Sequence, residues 1–312
     1  MKRCVIVLAA LAALVMGATP AYAWDDFGHR LVARIAWNNM TPQARARAIA
    51  ILRAAPLETG LRDGFTGTLS TQRQIDLFVS AASWADVVRD TANALRMEKY
   101  HHPYRHYVDT FWRQDTDFGT IQAVNRRPEG DLLRDAPRLQ RWLTTGSAEQ
   151  RALGLAWMLH LVGDIHQPLH ASGRVTPQDP WGDAGGNDFR LEITNPQTQS
   201  RRSLHSLWDG IMTSSLQKQP NESSAEFLAR AATEVAGRHP RSEFSGEIGQ
   251  REFRDWAAAS VAIARQSVYA APLVRNQAAP PAYRQAAFNA AEPRVALAGY
   301  RLADLLNQAL GS

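Results

Sequence analysis

Apolar positions recur three and four residues apart along most of this chain, the spacing of a single buried helix face. Thr41-Pro42 is a cap followed by proline at the first helical position, and it predicts a helix over residues 43–54. Residues 70–90 predict a second, with Ile75, Leu77, Phe78, Ala81, Ala82 and Ala85 on one side. Pro137 suits a first turn and opens a third helix that runs to Thr144. Ser147-Ala148-Glu149-Gln150 reads as a capping box. It starts a long helix through Trp157 to Ile165, ended by Pro168. Further helical runs cover 205–216, 225–237, 253–271 and 281–310, the last broken or kinked near Pro293.

The period changes in one place. Phe189, Leu191 and Ile193 alternate within 188–193, which predicts a strand. Asn195-Pro196 turns the chain, and 200–204 returns as the partner strand. Residues 182–187 form a glycine-rich turn, and 114–129 lack a period and read as a surface loop. The pattern predicts an all-α fold, one mainly helical domain with a minor β-hairpin.

The first 23 residues stand apart. Met1-Lys2-Arg3 is a short basic start, an apolar run follows from Cys4 to Met16, and Ala21-Tyr22-Ala23 offers an A-x-A cleavage site. This predicts a signal peptide over 1–23 and a mature domain over 24–312. The apolar run is too short to span a bilayer, and no later segment is long and apolar enough. The expected product is exported, to the periplasm or the medium, as a monomer without stable membrane association.

Losing the leader removes Lys2 and Arg3, so the net charge of +5 falls to +3. That is no broad nucleic-acid footprint in itself. Cys4 is the single cysteine and leaves with the leader. Disulfides, thiolate metal sites and a catalytic thiol are thereby excluded. Metal ligands must come from His, Asp, Glu or the backbone.

Two stretches pair His with Asp four residues later: His160 with Asp164, and His205 with Asp209. At 3.6 residues per turn such positions lie about 40° apart, so each imidazole shares a helix face with a carboxylate. His170 follows just past Pro168. Asp86 falls on the second predicted helix, His106 lies in His106-Tyr107-Val108-Asp109, and His29 follows Gly28. Buried charges need partners or metals, and a mixed nitrogen and oxygen set suits zinc.

Taken together these pieces resemble the S1/P1 nuclease family, which shares a fold with the zinc-dependent phospholipases C. The matching pieces are Trp24 with Gly28-His29, the stretch Trp84-Ala85-Asp86-Val87-Val88-Arg89, His106-Tyr107-Val108-Asp109, the His160–His170 run, Gly185-Gly186-Asn187 and Leu204–Asp209. They appear in family order and span Trp24 to Asp209; the C-terminal third adds no motif.

The resemblance implies a phospholipase C/P1 nuclease-like fold and three zinc ions. It implies that Asp86, His106, His160 and Asp164 hold one ion. Trp24, through a freed α-amine and its carbonyl oxygen, and His29 would share Asp164 to hold a second. His170, His205 and Asp209 would hold the third. Asp86 would also orient the attacking water, and Arg89 would stabilise phosphate charge. Tyr107 would stack on a base, Asp109 would hydrogen-bond it, and Asn187 would contact phosphate or sugar. His166 reads as a structural or supporting residue. The implied reaction is hydrolysis of single-stranded DNA and RNA to 5′-phosphate products, with 3′-nucleotidase action on nucleotides. The alternatives are a phospholipase C-type lipid phosphodiesterase and a non-catalytic exported zinc-binding protein. The phospholipases carry Glu in the last ligand position, where this chain has Asp209.

Overall fold

The computed structural model describes residues 24–195, 199–270 and 272–311. The leader at 1–23 and Pro196 of the hairpin turn lie outside the described residues. Five helices come first: α1 (Asp26–Asn39), α2 (Pro42–Arg53), α3 (Thr71–Ala81), α4 (Trp84–Val87) and α5 (Ala94–Tyr100). Strands β1 (Thr110–Gln114) and β2 (Ile121–Ala123) follow, then α6 (Leu132–Thr145), α7 (Ala148–Asp164) and β3 (Ser172–Val175). The hairpin β4 (Arg190–Asn195) and β5 (Ser200–Ser203) leads into α8 (Leu204–Asp209) and α9 (Ile211–Ser215). The chain closes with α10 (Ser224–Arg238), α11 (Phe253–Ile263) and α12 (Pro281–Leu310).

The centre is α7. Its capping box is formed: Ser147 accepts from Gln150 N, and Gln150 reaches back to the Ser147 N–H. From Leu155 to Asp164 every residue is buried, because α1, α2, α4, α6 and α12 pack around it. A helix enclosed on all sides needs no polar stripe. The apolar core runs as one cluster from Trp24 to Leu310. The expected mainly helical architecture is what the chain adopts.

Several boundaries differ from the sequence reading. The span 70–90 is two helices, not one. Ala82 would accept the next helical hydrogen bond, but its carbonyl receives His160 Nδ1–H at 2.7 Å. Asp86 N turns instead to Ser83 O at 3.1 Å. The third helix opens at Leu132 rather than at Pro137, which sits inside it. Leu132, Ala136, Leu139 and Leu143 are all buried on one face, so packing outweighs the missing proline N–H. Likewise α12 runs unbroken past Pro293, its second half being almost wholly buried. Gly210 divides the expected 205–216 helix into α8 and α9. The expected helix over 253–271 ends earlier, in a π-turn over Ala264–Val268. The hairpin forms, with Arg190 opposite Ser203.

Five elements have no counterpart in the sequence reading: α1, α5, β1, β2 and β3. The span 114–129, read as a loop, carries β2, which pairs antiparallel with β1; β1 in turn pairs parallel with β3. Strand β2 is three exposed residues, too short to show a period. Helix α1 had a legible signal, the Asp25 cap and Leu31, Val32, Ile35 and Ala36 at helical spacing.

Candidate metal centre and substrate cavity

The expected ligand residues converge at one end of α7. His160 and Asp164 project from its last turns, and His29 reaches them from α1. His29 stacks on His160 with ring centroids 3.8 Å apart. Three groups of side chains each bring ligand atoms within 4.8 Å of one another: His29, His160 and Asp164; Asp86, His106 and His160; and His170, His205 and Asp209. All three groups lie on buried or half-buried positions.

Asp164 stands between the first two groups. Its Oδ1 lies 3.3 Å from His29 Nε2. Its Oδ2 lies 3.2 Å from His106 Nδ1 and 3.4 Å from His160 Nε2. Yet neither oxygen receives a hydrogen bond among the described residues, and neither nitrogen of His29 makes one. Burial pushes the Asp164 carboxyl well above the usual carboxylate range and holds His29 well below the usual imidazole range. Buried polar atoms left without partners cost free energy, so the constellation calls for something to satisfy it.

Tautomers sharpen this. His160 donates Nδ1–H to Ala82 O, which leaves a lone pair at Nε2 on a neutral ring. That nitrogen faces His106 Nδ1 at 3.0 Å. His170 and His205 donate Nδ1–H to His106 O at 2.8 Å and to Gly185 O at 2.7 Å. Their Nε2 lone pairs therefore face each other, 3.1 Å apart. Asp209 Oδ2 stands 3.4 Å from the same His205 nitrogen. Lone pairs and a carboxylate oxygen aimed at one point repel each other, and a cation at that point reverses the sign. Two nitrogens bound to one tetrahedral zinc are about 3.3 Å apart, so the spacing fits such an ion. Carbonyl acceptors on the far ring nitrogen are the usual means of orienting metal-binding imidazoles.

The framework explains how these rings are held. Gly163 lies where an added Cβ would come 2.9 Å from His29 Nδ1 and 3.5 Å from the Trp24 indole. Trp24 is fully buried and donates Nε1–H to Gly163 O at 3.0 Å. Gly163→Ala is expected to destabilise the fold by about 1–3 kcal/mol through overpacking, and to loosen His29. Chemical denaturation beside zinc content checks this; unchanged stability would show that the contact is not tight.

Gly185 has φ +60° and lets the chain pass Leu169 O, where a Cβ would stand 2.6 Å away. The same loop is fixed from behind. Buried Asp183 accepts from Tyr269 Oη–H at 2.5 Å and lies 3.5 Å from Arg174 Nε. Sequence reasoning missed Asp183, Arg174 and Gln167. Gln167 donates Nε2–H to Asp209 Oδ1 at 2.7 Å and accepts from Leu169 N. Only its place inside the His160–His170 run hinted at a role. His166 touches none of the three groups: it donates to Val162 O and meets Arg301 Nη1 at 2.9 Å, tying α7 to α12.

A cavity of about 280 Å³ opens over the centre. His106, His170 and His205 line its floor, and Tyr107, Asp109 and Asn187 line it with Arg89 and His101. His101, which belongs to none of the motifs named above, thus joins the wall. Arg89 Nη1 lies 3.6 Å from Asp86 Oδ1, and both Arg89 and His101 also line a neighbouring cavity with Asp86 and Asp26. Burial, with Asp183 and Glu129 nearby, pushes the Asp109 carboxyl up to about 8. Burial likewise moves Asp86 to about 7, and Arg89 pulls the other way. Asn187 donates its side-chain N–H to Ala184 O at 2.9 Å, holding the loop's turn.

The S1/P1 Nuclease family profile matches residues 24–311. The chain belongs to the S1/P1 nuclease family. Among similar proteins, nuclease PA3 of a Penicillium species and nuclease P1 of Penicillium citrinum are each 23% identical over 301 residues, covering 93% of this chain and 98% of each relative. Nuclease S1 of Aspergillus oryzae is 25% identical over 195 residues, covering 61% of this chain and 55% of that protein. Membership in the S1/P1 nuclease family supports a hydrolytic nuclease activity, and no helix among the described residues is long and apolar enough to cross a membrane.

Proposed function

We propose that this S1/P1 family chain, cleaved after Ala23 and exported, is a zinc-dependent phosphodiesterase with one catalytic domain over 24–312. It hydrolyses single-stranded DNA and RNA to 5′-phosphate products and removes 3′-phosphate from nucleotides at the same centre. The observation that carries this reading is the set of opposed lone pairs and unbonded Asp164 oxygens beneath a cavity lined by Tyr107 and Asp109.

Three zinc ions fit the donor set. Asp86, His106, His160 and Asp164 would hold one; Trp24, His29 and Asp164 a second; His170, His205 and Asp209 the third. Bound there, zinc supplies Lewis acidity, offsetting phosphate charge and lowering the pKa of water toward neutrality.

The chain's own residues do the rest. Asp86 accepts a hydrogen bond from the attacking water and orients it. Arg89, at the rim of both cavities, pairs with the phosphate as its charge grows. Tyr107 offers a ring face to a base, which a duplex would hide; that makes single strands the substrate. Asp109 hydrogen-bonds the base edge, and Asn187 meets phosphate or sugar. Arg89→Ala is expected to lower kcat about 100-fold while zinc content stays unchanged, in line with loss of one charge-stabilising donor. Equal kcat in the variant would remove Arg89 from the reaction.

The decisive test incubates the processed protein with single-stranded DNA, RNA and phosphatidylcholine, with and without EDTA. Nucleic-acid cleavage that EDTA stops is the expected result. Lipid-only turnover would make the chain a phospholipase C-type enzyme, and no turnover of any substrate would leave a zinc-binding protein without catalysis.

A further inference from the structure

We propose that Trp181 is a stacking platform for a further unpaired nucleobase of the bound strand, beyond the two bases that flank the scissile phosphate. This rests on the nuclease reading above.

Trp181 is 82% exposed. The chain has nine tryptophans, and the other eight are buried or packed on the core. An indole carries some 150–250 Å² of mostly apolar surface that water does not favour, so a fully displayed one is unusual. Its support is firm. The Trp181 carbonyl accepts from Arg126 Nη1 at 2.7 Å. The Arg126 guanidinium lies over the Phe111 ring at 3.7 Å and pairs with Glu129 at 2.5 Å. The indole is therefore displayed from a backbone that Arg126 holds.

The platform is continuous with the cavity on two sides. Ala184, Gly185 and Asn187 line the cavity and follow Trp181 on the same loop. Asp109 also lines it, and its backbone exchanges two hydrogen bonds with Glu129, at 2.7 and 3.2 Å. Glu129 holds Arg126, and Arg126 holds Trp181. A strand whose base lies against Tyr107 and Asp109 thus leaves the cavity along a wall that ends in an exposed indole. Every unpaired base has a π face, so the platform takes any nucleotide and adds affinity for length rather than for sequence.

The test compares a dodecamer with a dinucleoside monophosphate too short to reach Trp181. In Trp181→Ala the ratio of kcat/KM, dodecamer over dinucleotide, is expected to fall roughly tenfold. Trp181→Phe should recover most of it. A ratio equal to wild type in Trp181→Ala would overturn the proposal. A second arm reads binding without turnover. Trp181 is the displayed indole, so a hydrolysis-resistant phosphorothioate dodecamer should quench wild-type tryptophan fluorescence, and far less so that of Trp181→Phe. Equal quenching in both would overturn the platform. Wild-type protein that cleaves neither substrate sinks the nuclease reading instead, and the fluorescence arm still decides Trp181.

Discussion

Replacing Asp164 with asparagine is expected to lower kcat/KM on single-stranded DNA by a factor on the order of a thousand, and to take bound zinc from three ions per chain toward one. The two oxygens of Asp164 face different partners, His29 on one side and His106 with His160 on the other. An amide keeps the shape but removes the charge and turns one acceptor into a donor, so the two ions proposed to share Asp164 would lose a ligand together. Stability separates this from plain misfolding. In chelator, the wild type buries a carboxyl with no hydrogen bond, whose charged form burial disfavours, whereas the variant buries an amide of the same size with no charge to desolvate. The unfolding midpoint of Asp164→Asn in chelator should therefore be no lower than wild type, while in zinc it should be lower, because ions bound only by the folded state stabilise it. A variant that keeps three ions and near-normal activity would remove Asp164 from the centre.

A single extra residue before Trp24 is expected to cost one zinc ion and roughly 100-fold in activity. Trp24 is locked in place: its ring is buried, its Nε1–H is held by Gly163 O, and the next residue, Asp25, donates its N–H to Asp209 O at 3.0 Å. Position 24 is thus pinned beside His29 and Asp164. Cleavage after Ala23 would expose an α-amine with a pKa of about 7.7–8.0. Zinc can displace that proton near neutral pH, whereas an amide nitrogen offers no such lone pair. Intact mass, elemental analysis and turnover measured on one preparation check this. Full activity with a retained methionine would break the link between processing and the centre.

Much of the helical content was legible because each helix carries its own evidence of one buried face. The 147–165 helix and its capping box are a local matter. The errors have physical causes. Pro137 and Pro293 look like breaks from the sequence, but Leu132, Ala136, Leu139 and the buried second half of α12 hold those helices continuous. The interruption at Ala82 has the opposite origin: the pattern continues, and a histidine from 78 residues away takes the carbonyl.

The residues of the candidate centre were named in advance, some by local spacing and others by resemblance. Their supports were not. Asp183, Arg174 and Trp181 carry no motif that announces them, and Gln167 has only its place in the His160–His170 run, since each acts through a partner distant in the chain or through exposure alone.

By itself the sequence determined what repeats within a few residues: helix faces, caps, the basic-then-apolar leader, and the two His and Asp pairs set four apart. Only the tertiary structure decided that Asp164 meets both His29 and His106, that two imidazole lone pairs oppose each other at 3.1 Å, and that one tryptophan stays in water beside the cavity. The reason is range. A helical repeat encodes neighbours along a turn, whereas these contacts join segments dozens to more than a hundred residues apart, and they exist only once the core has packed around α7.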